Sequence, residues 1–344
     1  MVTQTDGETS HQPTVKEVAA LAGVSPMTAS RTIAGGTNVR PELQDRVLEA
    51  VRALGYRRNE NARRMRAGEP SGLVGVAITN LGNPYYGNFA LGVEEIAATH
   101  GRRIVLGNTA EDTQRERRLI ADLIGRQVEG LILVPTGQEA AHLQHGLGDT
   151  PLVLASRTVP GVDVDTVVLD DVGGAYRGTR VLLDGGHRRI AFLGNVTSVF
   201  TGRRRYAGFT RALAEFDLVP DATLVKRDQQ DVETARRAMS DLLDLADAPT
   251  AIFCANNRNT IGALKEIGAR IRASNPASGL PAIVSFDDFE LAEMMPVPVT
   301  VVDHDPRELG REAARLLFTR LAGDRFAGPP RHVELPTRIR VARP

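Results

Sequence analysis

From Gly72 to the end of the chain, short apolar runs alternate with amphipathic segments of helical periodicity. The runs include GLVGVAIT, GLILVP, RIAFLG, TAIFCAN and PAIVSFDD, and stretches such as RERRLIADLIGRQV separate them. Continuous apolar strands between helices indicate parallel sheets that helices cover on both faces. About ten strand–helix units are more than one doubly wound sheet holds comfortably. The pattern therefore predicts an α/β fold with two similar lobes.

Polar residues follow several of these apolar runs directly. They are Asn80, Asn83, Asn256, Asn257, Asp287 and Asp288. In open parallel sheets, ligands bind beyond the carboxyl ends of the strands. The sequence therefore predicts a ligand site where these residues meet.

The segment that precedes this region has the signature of short capped helices. Thr14 and Glu17 form a T-x-x-E capping box, and Gly23 is expected to end that helix. Ser25 and Pro26 are suited to the start of a second helix, and a third runs from Pro41 to Gly55. These features predict a helix-turn-helix bundle over residues 13–58, after a disordered tail over residues 1–12.

A net charge of zero hides an uneven distribution of charge. Residues 1–68 hold 10 Lys and Arg against 7 Asp and Glu, and the segment from Arg57 to Arg66 holds five arginines and one glutamate. A basic head on a slightly acidic body favours a polyanionic partner for the head. A solvated, arginine-rich linker would explain the same charges.

The start of the second helix is the part that would reach base edges in the major groove. Ser25 and Thr28 are suited to phosphate contacts. Arg31 can bind guanine through two hydrogen bonds, and Met27 can contact a thymine methyl group. The alternative is a plain helical hairpin that packs on the body. Together with the caps and the basic segment, the pattern favours DNA.

No enzyme motif is visible in the sequence. There is no G-x-G-x-x-G, P-loop, zinc-ligand spacing or G-x-S-x-G elbow, and we expect no cofactor and no metal. His142 and His145 are expected on a solvated helix. Asp287 and Asp288 are adjacent on a strand and should point to opposite faces.

One cysteine, no long apolar run and no secretory signal indicate a cytoplasmic protein.

Several motifs resemble those of the lactose/galactose repressor (LacI/GalR) family of bacterial transcription regulators. They are TVKEVAALAGVSPMTASRTIAGG, VRPELQDRVLEAVRALGYRRNENARRMRAG, GLVGVAITNLGNPYYGNF, LLDGGHRRIAFLG, RRRYAGFTRAL and VSFDD, in the family's order. The resemblance implies a helix-turn-helix headpiece and a hinge helix over residues 59–70. It also implies a two-lobed body over residues 71–344, with the fold of periplasmic sugar-binding proteins.

The resemblance implies a homodimer on double-stranded, pseudo-palindromic operator DNA. Met65 stands where the family has a leucine that wedges into the minor groove, and Ala62 keeps two hinge helices close. Arg58 replaces a usual proline. The DNA-binding set is Thr14, Ser25, Pro26, Met27, Thr28, Ser30, Arg31, Asn38, Arg57, Asn59, Ala62, Arg63 and Met65.

The family's effector residues carry over one by one. They are Asn83, Tyr85, Tyr86, Phe89, Ser156, Arg205, Asn256, Asp287 and His304. Aromatic rings beside amides, acids and an arginine suit a polyol. Phe89 as a core residue and Arg205 in a structural ion pair are the alternatives.

Three departures change the expected pocket. Asn257 and Ser156 replace aspartates, and Ser285 replaces a glycine. The effector class therefore stays open among a sugar, a sugar phosphate, another polyol and a nucleoside.

We expect lobe one to hold residues 71–169 and 300–325, and lobe two residues 170–299 and 326–344. A transport protein with the same body and an enzyme with a DNA-binding head are the rival classes. The missing signal sequence and the missing catalytic set argue against them.

Overall fold

A computed structural model of the chain describes residues 13–35, 39–56, 70–137, 139, 141–274, 279–290, 292, 297–323 and 328–342. The chain divides into two compact units, Met1–Ser71 and Gly72–Pro344.

The first unit contains three helices in its described part, α1 (Val15–Ala22), α2 (Pro26–Ile33) and α3 (Pro41–Leu54). The predicted capping box at Thr14 and Glu17 is confirmed, and Ser25 caps α2 through the amide of Thr28. Gly23 and Gly55 end α1 and α3 in the left-handed conformation, at φ 62° and 61°. The three helices close around a small core of Val18, Ala19, Ala22, Ala29, Val47 and Ala50. The small residues let short helices approach closely.

The second unit alternates strands and helices. Its strands are β1 (Leu73–Ile78), β2 (Arg103–Asn108), β3 (Gly130–Leu133), β4 (Leu152–Ala155), β5 (Asp165–Leu169), β6 (Ile190–Leu193), β7 (Val225–Lys226), β8 (Ala251–Cys254), β9 (Ala282–Phe286), β10 (Val299–Asp303), β11 (His332–Leu335) and β12 (Arg338–Ala342). Its helices are α4 (Pro84–Thr99), α5 (Thr113–Gly125), α6 (Ala141–His145), α7 (Asp171–Asp184), α8 (Phe200–Ala214), α9 (Val232–Leu243), α10 (Asn257–Ser274) and α11 (Pro306–Leu321).

The strands form two sheets of six, which define two lobes. The first lobe has the order β11-β5-β4-β3-β1-β2, and the second has β12-β10-β9-β8-β6-β7. Every pairing is parallel except that of β10 with β12. Central strands such as β3, β4, β6 and β8 are buried at every residue, whereas every residue of the edge strands β2 and β11 is half-buried or exposed. Helices on both faces explain why the central strands are continuously apolar.

The chain crosses between the lobes after β5, after β10 and after β11. β10 was expected in lobe one, but it pairs with β9 in the second sheet. β11 was expected in lobe two, but it pairs with β5 in the first sheet. An apolar run predicts a buried strand and does not encode the partner strand, so the lobe boundaries require the tertiary structure.

One pair of helices in the first lobe approaches closely enough to require glycine on both sides. A Cβ atom on Gly310 of α11 would lie 2.1 Å from the Phe89 carbonyl oxygen of α4. A Cβ atom on Gly92 of α4 would lie 2.0 Å from the Arg307 carbonyl oxygen. Because backbone meets backbone here, no side-chain rotation would relieve the clash.

Gly310→Ala should lower the free energy of unfolding by about 1–3 kcal/mol through overpacking between α4 and α11. Urea denaturation followed by circular dichroism measures the change. Gly87→Ala, also on α4 but with no atom within 4 Å of its added Cβ, is the matched control. The control should be neutral or stabilise by up to about 1 kcal/mol, because alanine is the better helix former. Equal midpoints for Gly310→Ala and the wild type would contradict the close approach.

Candidate functional site

The second helix of the first unit presents a mixed polar and apolar face to solvent. α2 buries Ala29 and Thr32 against the small core. Its exposed residues are Pro26, Met27, Ser30 and Arg31. Met27 is 65% exposed and is the large apolar side chain on the outer face of α2. Met27 and Arg31 are four residues apart and share one face of the helix.

The hydroxyl groups at the helix starts are engaged in caps. The Ser25 hydroxyl accepts a hydrogen bond from the Thr28 amide at 3.1 Å and lies 2.9 Å from the Thr28 hydroxyl. The Thr14 hydroxyl donates to Glu17 at 2.9 Å. These residues therefore hold the helix starts in place, while Ser25 and Thr14 stay exposed.

Six residues of the predicted DNA-binding set lie outside the described residues. They are Asn38, Arg57, Asn59, Ala62, Arg63 and Met65.

In the second unit, a cavity of about 360 Å³ lies between the two lobes. It is lined by seven of the nine predicted effector residues, Asn83, Tyr85, Tyr86, Ser156, Arg205, Asn256 and Asp287. These residues stand at the carboxyl ends of strands or in the loops and helices that follow, as expected for a parallel sheet. Asn80, which the strand-end pattern predicted, also lines it. Residues that the sequence reasoning did not select line it as well, namely Thr79, Glu111, Thr113, Thr136, Arg157, Asn195, Ser198, Thr201, Gln229, Gln230 and Arg258.

Arg205 is the centre of a buried ionic network. Its Nε donates to Asp171 at 2.8 Å, and its Nη1 donates to the Ala255 carbonyl at 2.7 Å and to Asp287 at 3.2 Å. The guanidinium carbon lies 3.6 Å from the centre of the Phe286 ring. Burial raises the pKa of Asp171, whereas the field of Arg205 acts in the opposite direction. The structural ion pair considered for Arg205 is therefore present, at a site that also faces the cavity.

Asp287 is held in an uncommon backbone conformation. Its φ is 69°, in the left-handed region that few non-glycine residues adopt. The Ser285 hydroxyl donates to the Asp287 carbonyl at 2.9 Å and accepts from the Thr260 hydroxyl at 2.7 Å. His304 Nε2 lies 2.9 Å from the carboxylate. Burial alone would raise the pKa of Asp287, but Arg205 and His304 outweigh it and lower the pKa below its usual range.

Two tyrosines form the wall of the first lobe. The Tyr85 hydroxyl lies 3.0 Å from the Ser156 hydroxyl, and the Thr79 hydroxyl donates to the Tyr86 hydroxyl at 2.8 Å. The two rings meet edge to face at 5.0 Å. Burial raises the pKa of both tyrosines, so both are neutral donors at physiological pH. They offer aromatic surface with fixed hydroxyls at its edge.

The Arg157–Glu111 pair was missed by the sequence reasoning. Arg157 donates to both carboxylate oxygens of Glu111, at 2.6 and 2.7 Å, and to the Pro135 carbonyl at 3.2 Å. Burial would raise the pKa of Glu111, but Arg157 lowers it below its usual value. The only available signal was the arginine of the ASR motif, because the two residues are 46 positions apart.

A reciprocal pair of amides joins the two lobes. Asn257 Nδ2 donates to Asn83 Oδ1 at 2.9 Å, and Asn83 Nδ2 donates to Asn257 Oδ1 at 3.3 Å. Asn256 uses its side-chain oxygen to accept from the Asn259 amide at 2.8 Å. Asn256 therefore caps α10 with its side-chain oxygen. Its side-chain NH2 group remains available to donate to a ligand.

Two predicted effector residues do not line the cavity. Phe89 is fully buried in the core beneath α4, so the alternative of a packing residue is correct. His304 lies on the crossing from β10 to α11 and contacts two residues that line the cavity, Asp287 by a hydrogen bond and Tyr85 by an edge-to-face ring contact.

The expectation that His142 is solvated was wrong. Its side chain is 11% exposed and pairs with the buried Glu116 at 2.7 Å, while His145 is exposed as expected. Burial raises the pKa of Glu116. Glu116 also accepts from the Thr136 amide at 2.6 Å, so the pair holds a loop that borders the cavity. The separation of 26 residues hid this contact in the sequence.

Asp287 and Asp288 do not converge. Asp288 pairs with Arg340, away from the Arg205 network. Within the described ranges, no group of three or more His, Cys, Asp or Glu side chains could hold a metal ion. Among the described helices, none combines the length and apolar character needed to span a membrane.

Known proteins match both units. Residues 14–59 match the family described as bacterial regulatory proteins, lacI family. Residues 71–341 match the family described as periplasmic binding proteins and sugar binding domain of LacI family. Both are families of regulatory or binding proteins.

Individual relatives agree with these matches. Catabolite control protein A of Priestia megaterium is 32% identical over 307 residues, which cover 88% of this chain and 91% of that protein. The structure of the transcriptional regulator CelR–cellobiose complex is 29% identical, with a TM-score of 0.69, and covers 96% of this chain and 98% of its own.

The lac repressor dimer bound to operator and the anti-inducer ONPF shares the fold at 22% identity, with a TM-score of 0.74 over 96% of this chain and 99% of its own. Family match, sequence identity and fold agree over nearly the whole chain. The chain therefore belongs to the LacI family of bacterial regulatory proteins, DNA-binding transcriptional regulators whose second unit is a periplasmic-binding-protein-like sugar-binding domain.

Proposed function

We propose that this regulator represses transcription by binding a pseudo-palindromic operator as a homodimer, under the control of a small molecule bound between the lobes. The observation that carries the proposal is the solvent-facing Met27–Arg31 surface of a capped second helix, on the same chain as a polar interlobe cavity. We place the protein in the cytoplasm, on the nucleoid when it is bound to operator DNA.

The proposed base contacts come from α2. Arg31 would donate to guanine from the major groove, and Met27 would contact a thymine methyl group. Ser25, Thr28 and Ser30 would contact phosphates through hydroxyls and the exposed amides of the helix start. Thr14 and Pro26 would fix the height of α1 and α2 above the backbone of the DNA.

Exposed leucines on the first lobe support a dimer. Leu81, Leu91 and Leu106 are 58%, 48% and 38% exposed, and they lie on the loop after β1, on α4 and on β2. Apolar side chains on neighbouring elements of one lobe are typical of a surface that a second copy covers. The similar lac repressor structure is a dimer on its operator.

We propose that the effector contacts Asn83, Tyr85, Tyr86, Ser156, Arg205, Asn256 and Asp287. Each lobe supplies part of this set, so an occupant of the cavity favours one interlobe angle over others. The shift is limited by the difference in its affinity for the two arrangements. The Asn83–Asn257 pair is formed in the present arrangement and contributes to its stability.

Arg31→Ala should weaken specific operator binding by about 1–3 kcal/mol and relax the preference at one base pair in each half-site. Fluorescence anisotropy with a duplex that the wild type selects from random sequence measures both effects. Arg237→Ala, which removes an exposed arginine from α9 in the second unit, is the matched control. Unchanged affinity in Arg31→Ala, or no enriched duplex for the wild type, would contradict the DNA interface.

The Asn83–Asn257 pair should show a coupling energy of about 0.5–3 kcal/mol in a double-mutant cycle of Asn83→Ala and Asn257→Ala. The reason is that either single change breaks both interlobe hydrogen bonds. Denaturation of the four proteins measures the energy. Additive effects, with coupling below about 0.3 kcal/mol, would show that the pair does not hold the lobes together.

Ser285→Ala should lower the free energy of unfolding by about 1 kcal/mol, because Asp287 loses the hydroxyl that holds its left-handed backbone. Thermal unfolding should show a drop of a few degrees. Ser30→Ala, which removes an exposed hydroxyl from α2, should stay within about 0.5 kcal/mol of the wild type. A neutral Ser285→Ala would mean that Asp287 keeps its conformation without this clamp.

A further inference from the structure

Not every charged group that lines the interlobe cavity has a partner of opposite charge. Its carboxylates are Glu111 and Asp287, and its guanidinium groups are those of Arg157, Arg205 and Arg258. Glu111 is bound at both oxygens by Arg157, and Asp287 is bound by Arg205 and His304. Arg205 is further neutralised by the buried Asp171. Arg258 is left as a cation at the cavity wall.

Arg258 has no partner of its own among the residues that the structure describes. It is the second residue of α10 and is half-buried. Its Nε is shielded from solvent without a hydrogen-bond partner, and no described carboxylate pairs with it within 4.0 Å. Arg258 contributes to the lowered pKa of Asp231, after the hydrogen bonds from Thr234 and Glu233, but the Asp231 carboxylate is engaged in capping α9 through Thr234. A guanidinium group that is partly removed from water and has no counterion destabilises the folded protein, unless an anion binds to it.

Neutral donors stand on the same wall. α8 begins after Val199 without a side-chain cap, so no side chain occupies its first amides. Val199, Thr201 and Gly202 of this first turn line the cavity together with Ser198 and Arg258. The amino-terminal end of a 15-residue helix carries partial positive charge and free amide donors. Arg258 and this helix start therefore favour an anion at the wall formed by the second lobe.

The first lobe offers a different chemistry. Tyr85 and Tyr86 are neutral, and Ser156 supplies an uncharged hydroxyl beside the Tyr85 hydroxyl. No carboxylate among the described lining residues is unpaired. The cavity thus has one side suited to a polyol and another suited to a negative charge.

We infer that the effector is an anionic polyol, a sugar that carries a phosphate or a carboxylate, with its anionic group bound by Arg258 and the first turn of α8. The inference rests on the proposed function, because it names the class of ligand for the same cavity.

The test compares neutral and anionic partners of the same sugar skeleton on the full-length protein. The probes are glucose, glucose 6-phosphate and glucuronate, then ribose and ribose 5-phosphate, with inorganic phosphate as the bare anion. Thermal shift and isothermal titration measure binding to the wild type, to Arg258→Gln and Arg258→Lys, and to Arg237→Gln as the matched control for lost charge. If the sugar phosphates bind and glucuronate does not, the anionic group of the effector is a phosphate. If glucuronate binds and the sugar phosphates do not, it is a carboxylate.

Anionic probes should bind the wild type and Arg237→Gln more tightly than their neutral partners do. Arg258→Gln should weaken the anionic probes by at least about tenfold, and Arg258→Lys should weaken them less. Neutral probes should bind all three variants with the same affinity as the wild type. Inorganic phosphate alone should raise the melting temperature of the wild type only at millimolar concentration, and not that of Arg258→Gln.

Two results would overturn the inference. One is a neutral sugar that binds as tightly as its phosphate and equally well to Arg258→Gln. The other is that every anionic probe has the same affinity for the wild type and for Arg258→Gln. Either result leaves the proposed function intact if the same samples bind the selected operator duplex. Loss of operator binding in the wild type would instead remove the proposed function.

Discussion

The buried guanidinium of Arg205 is the interaction on which the second lobe's half of the cavity depends. It joins the first residue of α7, the end of β8 and the residue after β9, three points that are far apart in the sequence. A buried cation is stable only when its hydrogen bonds are met, so the three segments are held in one arrangement. Asp287 takes its position from this network, and His304 links it to the crossing that leads into α11.

The cavity therefore combines a rigid wall with an adjustable connection. Buried ion pairs and the Ser285–Thr260 hydrogen bond fix each lobe internally. Between the lobes, the Asn83–Asn257 amides are neutral, and their separation costs less than separating buried charges would. An ion pair of Arg204 on α8 with Glu334 on β11, at 3.2 Å, also joins the lobes. A ligand therefore shifts the balance between interlobe angles only by as much as its affinity differs between the arrangements.

The parts that could be predicted from the sequence rest on short-range physics. Helix starts at Thr14 and Ser25 were predicted because a hydroxyl caps amides two or three residues away. Buried strands were predicted because their apolar runs are continuous. The placement of β10 and β11 and the pairing of His142 with Glu116 were not, because each depends on a partner that is distant along the chain. For Phe89 the sequence left a ligand contact and a core position open, and the structure decided for the core.

The sequence by itself determined the capped helices of the first unit, the strand–helix alternation of the second, and the residues that stand at the carboxyl ends of its strands. Those properties depend on neighbours within one or two helical turns or along one strand. Only the tertiary structure decided which strands share a sheet, which acids and arginines neutralise one another, and which arginine is left over. Charge pairing depends on distance in space, and chain separations of 34 to 82 residues around Arg205 contain no local signal of it.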